Sequence, residues 1–206
     1  MREDLVRVLR LVAITDDLRD GVDGLVARAE AAVRGGATMV QLRLKSADAR
    51  LLAEVTRRLV GRLAVPVVVN DRADVAIAAG AAGVHVGADD LPVRAVRRIA
   101  PPGFIVGASL GADAEAANAR GADYVGIGPV YATQTKSDAG VAIGPQGFAR
   151  LRALSDVPSV GIGGITPDNA GAVIAAGAVG IAAVASVFGA TDPEDAARAL
   201  RAATRA

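Results

Sequence analysis

A chain of 206 residues with 52% hydrophobic and 22% charged residues can bury the core of one domain, which excludes intrinsic disorder. Its 23 basic and 22 acidic residues leave a net charge of +1, so no electrostatic footprint for nucleic acid or an anionic membrane is present. The lack of cysteine excludes disulfides, thiolate catalysis and thiolate metal sites, and a single histidine, His85, excludes a multi-histidine centre. The opening stretch is broken by Arg7 and Arg10 and has no cleavage pattern, so it is not expected to act as a signal peptide. No run reaches the roughly 18 apolar residues of a membrane span, and a cytoplasmic protein with neither membrane nor nucleic-acid partner is expected.

In chain order, short apolar runs rich in branched residues alternate with Ala-, Arg- and Glu-rich helical stretches. The spacing predicts strands over Leu11–Thr15, Met39–Arg43, Val65–Asn70, Gly83–Gly87, Ile105–Ser109, Tyr124–Gly128, Ser159–Gly163 and Gly180–Ala185. Helices are predicted in the intervals, among them Gly24–Arg34, Ala47–Arg62, Asp168–Ala176 and Pro193–Ala203. Several helices end in a small-residue stop at Gly35, Gly80, Gly121 or Gly177, as a left-handed helix terminus requires. Eight alternating units imply a parallel sheet closed as a (β/α)8 TIM barrel spanning 1–206 as one catalytic domain. An open doubly wound sheet is the competing architecture. In a barrel, chemistry sits at the C-terminal strand ends and the loops that follow them.

Those ends are rich in polar residues. Strand two ends in QLRLK, where alternation places Gln41, Arg43 and Lys45 on one face and Val40, Leu42 and Leu44 on the other. A doubly cationic face suits an anion; a strand end running into water is the plainer alternative. Of the 23 basic residues only Lys45 and Lys136 are lysines, compact point charges that suit phosphate oxygens. Asn70 and Asp71 end strand three, and Asp89 and Asp90 follow strand four. Carboxylates on neighbouring strand ends can hold Mg²⁺, which keeps several waters and takes its other ligands from a phosphorylated substrate. Asp at a helix N-terminus is also a common cap. Ser109 ends strand five, and a long loop after strand six carries Thr133, Thr135 and Lys136, as a lid over phosphate would. Gly163 and Gly164 after strand seven, with the turn after strand eight, match the recurrent phosphate site of this fold. His85 lies within strand four and is expected to be structural.

QLRLK, VNDR, GVHVGADDLP, GIGPVYATQTKSD and GIGGITPDN, in this order and over nearly the whole chain, resemble the motif series of thiamine phosphate synthases. That family joins hydroxymethylpyrimidine diphosphate to a phosphoethyl-thiazole and releases diphosphate. The resemblance implies that Gln41, Arg43, Lys45, Asn70, Ser109 and Lys136 bind the pyrimidine diphosphate, with Lys136, Ser109, Arg43 and Lys45 as the catalytic set. It implies Mg²⁺ on Asp71 and Asp90, and the thiazole phosphate on Thr133, Gln134, Thr135, Gly164 and the Val184–Ala185 backbone. The implied mechanism is dissociative: diphosphate leaves first, and the thiazole nitrogen captures a pyrimidine-methyl cation. The implied partners are small molecules, and the oligomeric state is left open.

The chain departs from the family pattern in places. Leu44 stands for an acidic residue, Val12 for an aromatic, and Leu110 for a histidine after strand five. The usual Val-Ser pair at strand eight reads Val184–Ala185, with Ser186 one place on. A persisting strand would turn Ser186 away from the site. Two rival readings stand beside the synthase. A thiazole tautomerase on the same barrel relies on the histidine that Leu110 replaces, and a non-catalytic barrel would bind thiamine precursors without turnover.

Overall fold

The computed structural model describes residues 2–133 and 140–204. Eight strands pair in parallel in chain order and close on themselves: β1 (Leu11–Ile14), β2 (Met39–Leu42), β3 (Val67–Asn70), β4 (Gly83–Val86), β5 (Ile105–Ser109), β6 (Tyr124–Ile127), β7 (Ser159–Ile162) and β8 (Gly180–Ala183). Closure is direct, because Leu11 of β1 registers with Ile181 of β8 while Val12 registers with Met39 of β2. The open sheet is thereby excluded.

Period-two alternation assigns the two faces. Val12, Ile14, Met39, Val68, Tyr124, Val160 and Ala182 form a cluster inside the barrel. Their neighbours Leu11, Val40, Leu42, Val67, Val69 and Val84 pack outward with helix residues such as Leu25, Ala29, Leu52 and Leu59. Burial on both faces is why these strands read as nearly continuous branched apolar runs. Each fully buried Val, Leu or Ile stabilises the fold by roughly 1.5–3 kcal/mol relative to exposure.

The outer layer contains α1 (Arg2–Val8), α2 (Gly21–Arg34), α3 (Ala49–Arg62), α4 (Ala73–Ala78), α5 (Val93–Ile99), α6 (Gly144–Arg152), α7 (Pro167–Ala175), the short α8 (Ala185–Phe188) and α9 (Pro193–Ala203). Among the described residues, no helix is long and apolar enough to cross a membrane. The helix-stop glycines divide their work at the end of α2. Gly36 takes the left-handed backbone (φ +109°), whereas Gly35 is helical and lies so close to α9 that a Cβ would collide with the Glu194 carbonyl.

Two expectations need correction. The interval between β5 and β6 holds no α-helix, only the three-residue 3₁₀ turn Asp113–Glu115. Its segment offers mainly alanine to the core, and helices in proteins depend on packing an apolar face. The strands are also shorter than alignment of their apolar runs suggests. β2 stops at Leu42 rather than Arg43, and β8 at Ala183 rather than Ala185. The buried Thr15 shows why at β2. Its backbone N–H donates to the Gln41 carbonyl (2.9 Å), and its Oγ1 accepts from the Arg43 N–H (2.9 Å), drawing the chain out of the sheet.

Candidate active site

A cavity of about 690 Å³ opens at the C-terminal mouth of the barrel. Gln41, Arg43, Lys45, Asn70, Asp71, Asp90, Ser109, Thr133, Gly164, Val184 and Ala185 all line it. Gln134, Thr135 and Lys136 lie outside the described residues. A second cavity, of about 790 Å³, lies beside α1 and is lined by Arg7, Arg10, Arg152 and Asp156. It touches the N-terminal ends of β7 and the chain entering β8 through Ser159 and Val179, the end of the barrel where residues serve stability.

The upper inner layer builds the floor. Gln41 is buried and its Nε2 donates to Asn70 Oδ1 at 2.7 Å, so the two amides hold each other in place across β2 and β3. The Asn70 side chain in turn hydrogen-bonds the Asp71 carboxyl, which ties the floor to the rim of the cavity. Arg43 and Lys45 line the same wall, but from the chain leaving β2 rather than from the strand.

Beside the cations, at the ends of the next two strands, stands a crowded carboxylate pair. Asp71 has a left-handed backbone (φ +65°), fixed by its N–H donating to the His85 carbonyl at 2.8 Å. Asp90 accepts the Gly87 N–H at 2.7 Å through Oδ2. Burial first, and then the hydrogen-bonded and like-charged Asp90, push the Asp71 carboxyl up to about 6, against the opposing pull of Lys45 and Asn70. Two carboxylates held this close in a partly buried place repel unless a proton or a cation intervenes.

The turn after β7 lines the cavity and also packs against the long loop. Gly163 (φ +95°) and Gly164 (φ +62°) were expected to let backbone approach an anion. Within the protein their nearest neighbours are the chain after β6: a Cβ on Gly164 would lie 2.5 Å from the Ala132 carbonyl oxygen and 2.8 Å from Tyr131 Cβ. The Tyr131 N–H donates to the Gly163 carbonyl (3.0 Å), and Asn169 Nδ2 donates to the Gly164 carbonyl (3.0 Å). These glycines therefore seat the base of the long loop. After β8, Val184 leaves the sheet and Ala185 opens α8. Ser186 consequently reaches the cavity lining, contrary to the expectation for a persisting strand, and its Oγ donates to the Ile165 carbonyl at 2.5 Å.

Three lining residues with polar side chains are not singled out as site residues by the sequence: His85, Glu115 and Ser186. Alternation places His85 on the inner face, a signal that could have found it. Glu115 lies in the three-residue 3₁₀ turn and Ser186 in the four-residue α8, both too short for a period to show.

The fold and this cavity define a (β/α)8 barrel whose C-terminal mouth sets cations beside a carboxylate pair. The chain belongs to the thiamine monophosphate synthase family, which residues 11–187 match. It is 48% identical over 198 residues to a thiamine-phosphate synthase of Azorhizobium caulinodans, covering 94% of this chain and 93% of that protein. A thiamine-phosphate synthase of Xanthobacter autotrophicus is 48% identical over 203 residues, covering 96% of each. Among solved structures, a thiamine phosphate pyrophosphorylase from Pyrococcus furiosus superposes with a TM-score of 0.87 at 38% identity over 98% of both chains.

Proposed function

We propose that this chain condenses 4-amino-5-hydroxymethyl-2-methylpyrimidine diphosphate with 4-methyl-5-(2-phosphoethyl)thiazole, or its carboxylate, to thiamine phosphate and diphosphate. The observation that carries this reading is the meeting of Arg43 and Lys45 with the Asp71–Asp90 pair in one cavity of a family member. The tautomerase alternative lacks its proton-transfer group, since Leu110 is fully buried and apolar. The substrates are small molecules, and the setting is the cytoplasm.

The donor set suits Mg²⁺. Asp71 and Asp90 would hold the ion, whose remaining positions suit water and diphosphate oxygens. When bound, it would supply positive charge to the departing diphosphate. The protein's own groups do the rest. Arg43, Lys45, Ser109 and Lys136 hold the diphosphate and stabilise the charge it gains as the C–O bond breaks. Gln41 and Asn70 orient the pyrimidine. Thr133, Gln134, Thr135, Gly164 and the Val184–Ala185 backbone bring the thiazole nitrogen in line to capture the pyrimidine-methyl cation. No protein nucleophile is used, and positioning carries much of the rate enhancement. Release of diphosphate that requires both substrates tests the reading; release without thiamine phosphate, or neither product, contradicts it.

The Asp71 shift sets a pH dependence. A folded-state carboxyl raised above its unfolded value contributes stability that is full below about 4 and is lost as pH rises through about 6. Above 6 the Asp71 carboxyl is charged, and a cation offsets its repulsion by Asp90. The rise in Tm produced by MgCl₂ is therefore expected to be larger at pH 7.5 than at pH 5. An equal rise at both would show that Asp71 does not bind the ion.

A further inference from the structure

Three inner-face side chains on successive strands form a hydrogen-bonded chain beneath the cavity. His85 Nδ1 lies 3.1 Å from the Tyr124 hydroxyl, and His85 Nε2 lies 3.2 Å from Ser109 Oγ. The rings are tilted by 39° with centroids 5.5 Å apart. Tyr124 is buried, whereas Ser109 and His85 reach the cavity lining. The barrel makes room for this chain by leaving out side chains. A Cβ at Gly107 would run into the Tyr124 ring, with its hydroxyl oxygen 2.5 Å away, and one at Gly126 would lie 3.2 Å from His85 Cε1. Alternation puts both glycines on the inner face, where other strands place apolar residues such as Val68 and Val160.

We propose that His85 is a positioning residue: the Tyr124 hydroxyl holds it as the Nε2–H tautomer, and it in turn fixes Ser109 so that the serine O–H donates into the cavity. This inference rests on the proposed reaction for its consequence, though not for its geometry. A neutral imidazole has one donor and one acceptor, so the partner at Nδ1 decides what Nε2 does. Burial pushes the Tyr124 phenol well above its ordinary value, which keeps it protonated and a donor. With Nδ1 accepting from the phenol, Nε2–H donates to Ser109 Oγ. The serine has a single proton, and with its oxygen already accepting from His85 that proton is directed to an anionic oxygen. In the other tautomer Nε2 would accept the serine proton and leave the substrate facing a lone pair. A hydroxyl that donates to the leaving diphosphate stabilises the charge appearing there.

Because the chain contains one histidine, ¹⁵N-histidine labelling gives an unambiguous readout of which ring nitrogen carries the proton. At pH 8 the Nε2–H tautomer is expected in the parent, and a mixture in Tyr124→Phe. Predominant Nδ1–H in the parent, or an unchanged ratio in Tyr124→Phe, overturns the proposal. In kinetics, His85→Leu should lower kcat about ten- to a hundredfold, as misplacement of a catalytic group does, with KM for the thiazole phosphate unchanged. His85→Gln, whose amide can still donate to Ser109, should recover part of the loss. In a Ser109→Ala background His85→Leu should cost nothing further. A full additional loss there means that His85 does not act through the serine. If the parent forms no thiamine phosphate, the proposed reaction fails while the labelling result still decides the tautomer.

Discussion

Asp71→Asn is expected to lower turnover about a hundred- to ten-thousandfold, the scale on which a metal stabilises charge in a transition state, while leaving the barrel folded. Asparagine is the right replacement because Asp71 has φ +65°, a backbone that Asn tolerates and other residues resist. Alanine there would add backbone strain and confuse the result. The amide keeps the shape of the carboxyl and removes its charge, so affinity for Mg²⁺ should fall with it. The same change should leave the metal-free protein at pH 7.5 as stable as the parent or more so. It removes a desolvated charge that faces Asp90, and those two effects already outweigh the help of Lys45 and Asn70. A substitution that raises stability while abolishing activity is the signature of a site arranged for a ligand. Asp90→Asn should behave similarly in turnover, since an amide oxygen can still accept the Gly87 N–H. Mg²⁺ titrations of both variants that overlay the parent would refute the metal assignment.

Gly164→Val is expected to weaken thiazole phosphate binding about a hundredfold or more, which corresponds to about 2.7 kcal/mol. Gly164 has φ +62°, where a β-branched residue is a severe outlier. Its Cβ would also press on the Ala132 carbonyl and Tyr131 Cβ, and backbone cannot swing aside as a flexible side chain can. The base of the loop after β6 would therefore move, carrying Thr133 away from the cavity. The damage should be local, because Gly164 lies in a turn at the mouth and outside both apolar clusters. Isothermal titration with the thiazole phosphate measures the effect. Parent-like affinity would place the phosphate elsewhere and overturn the role given to this turn.

Much of the architecture was legible in particular residues. VVVN and GVHV announce strands, the Gly-Ala stops mark helix ends, and α9 runs from Pro193 to Ala203 as predicted. Alternation also assigned Gln41 to the inner face and Val40 and Leu42 to the outer. What alternation cannot say is where a chain leaves the sheet. At β2 that point depends on Thr15, 28 residues earlier than Arg43, and at β8 on the turn that opens α8. Hence Arg43 sits beyond its strand and Ser186 reaches the cavity. A lone histidine inside a strand reads as structural, since its partners Tyr124 and Ser109 are 39 and 24 residues away and only the parallel pairing of β4, β5 and β6 brings them together. Gly163 and Gly164 were seen correctly as special, but the neighbour they accommodate is the protein's own loop. That neighbour could not be read from local sequence.

The central claim is that the mouth of this barrel couples the pyrimidine diphosphate to the thiazole phosphate with release of diphosphate. Its most direct test is a single turnover with enzyme in excess over the pyrimidine diphosphate, with and without the thiazole phosphate and Mg²⁺. The account predicts thiamine phosphate and diphosphate in equal amounts when all components are present, and a large loss of rate when Mg²⁺ is chelated. Unaltered pyrimidine diphosphate in the complete mixture, or isomerised thiazole without coupling, would contradict it.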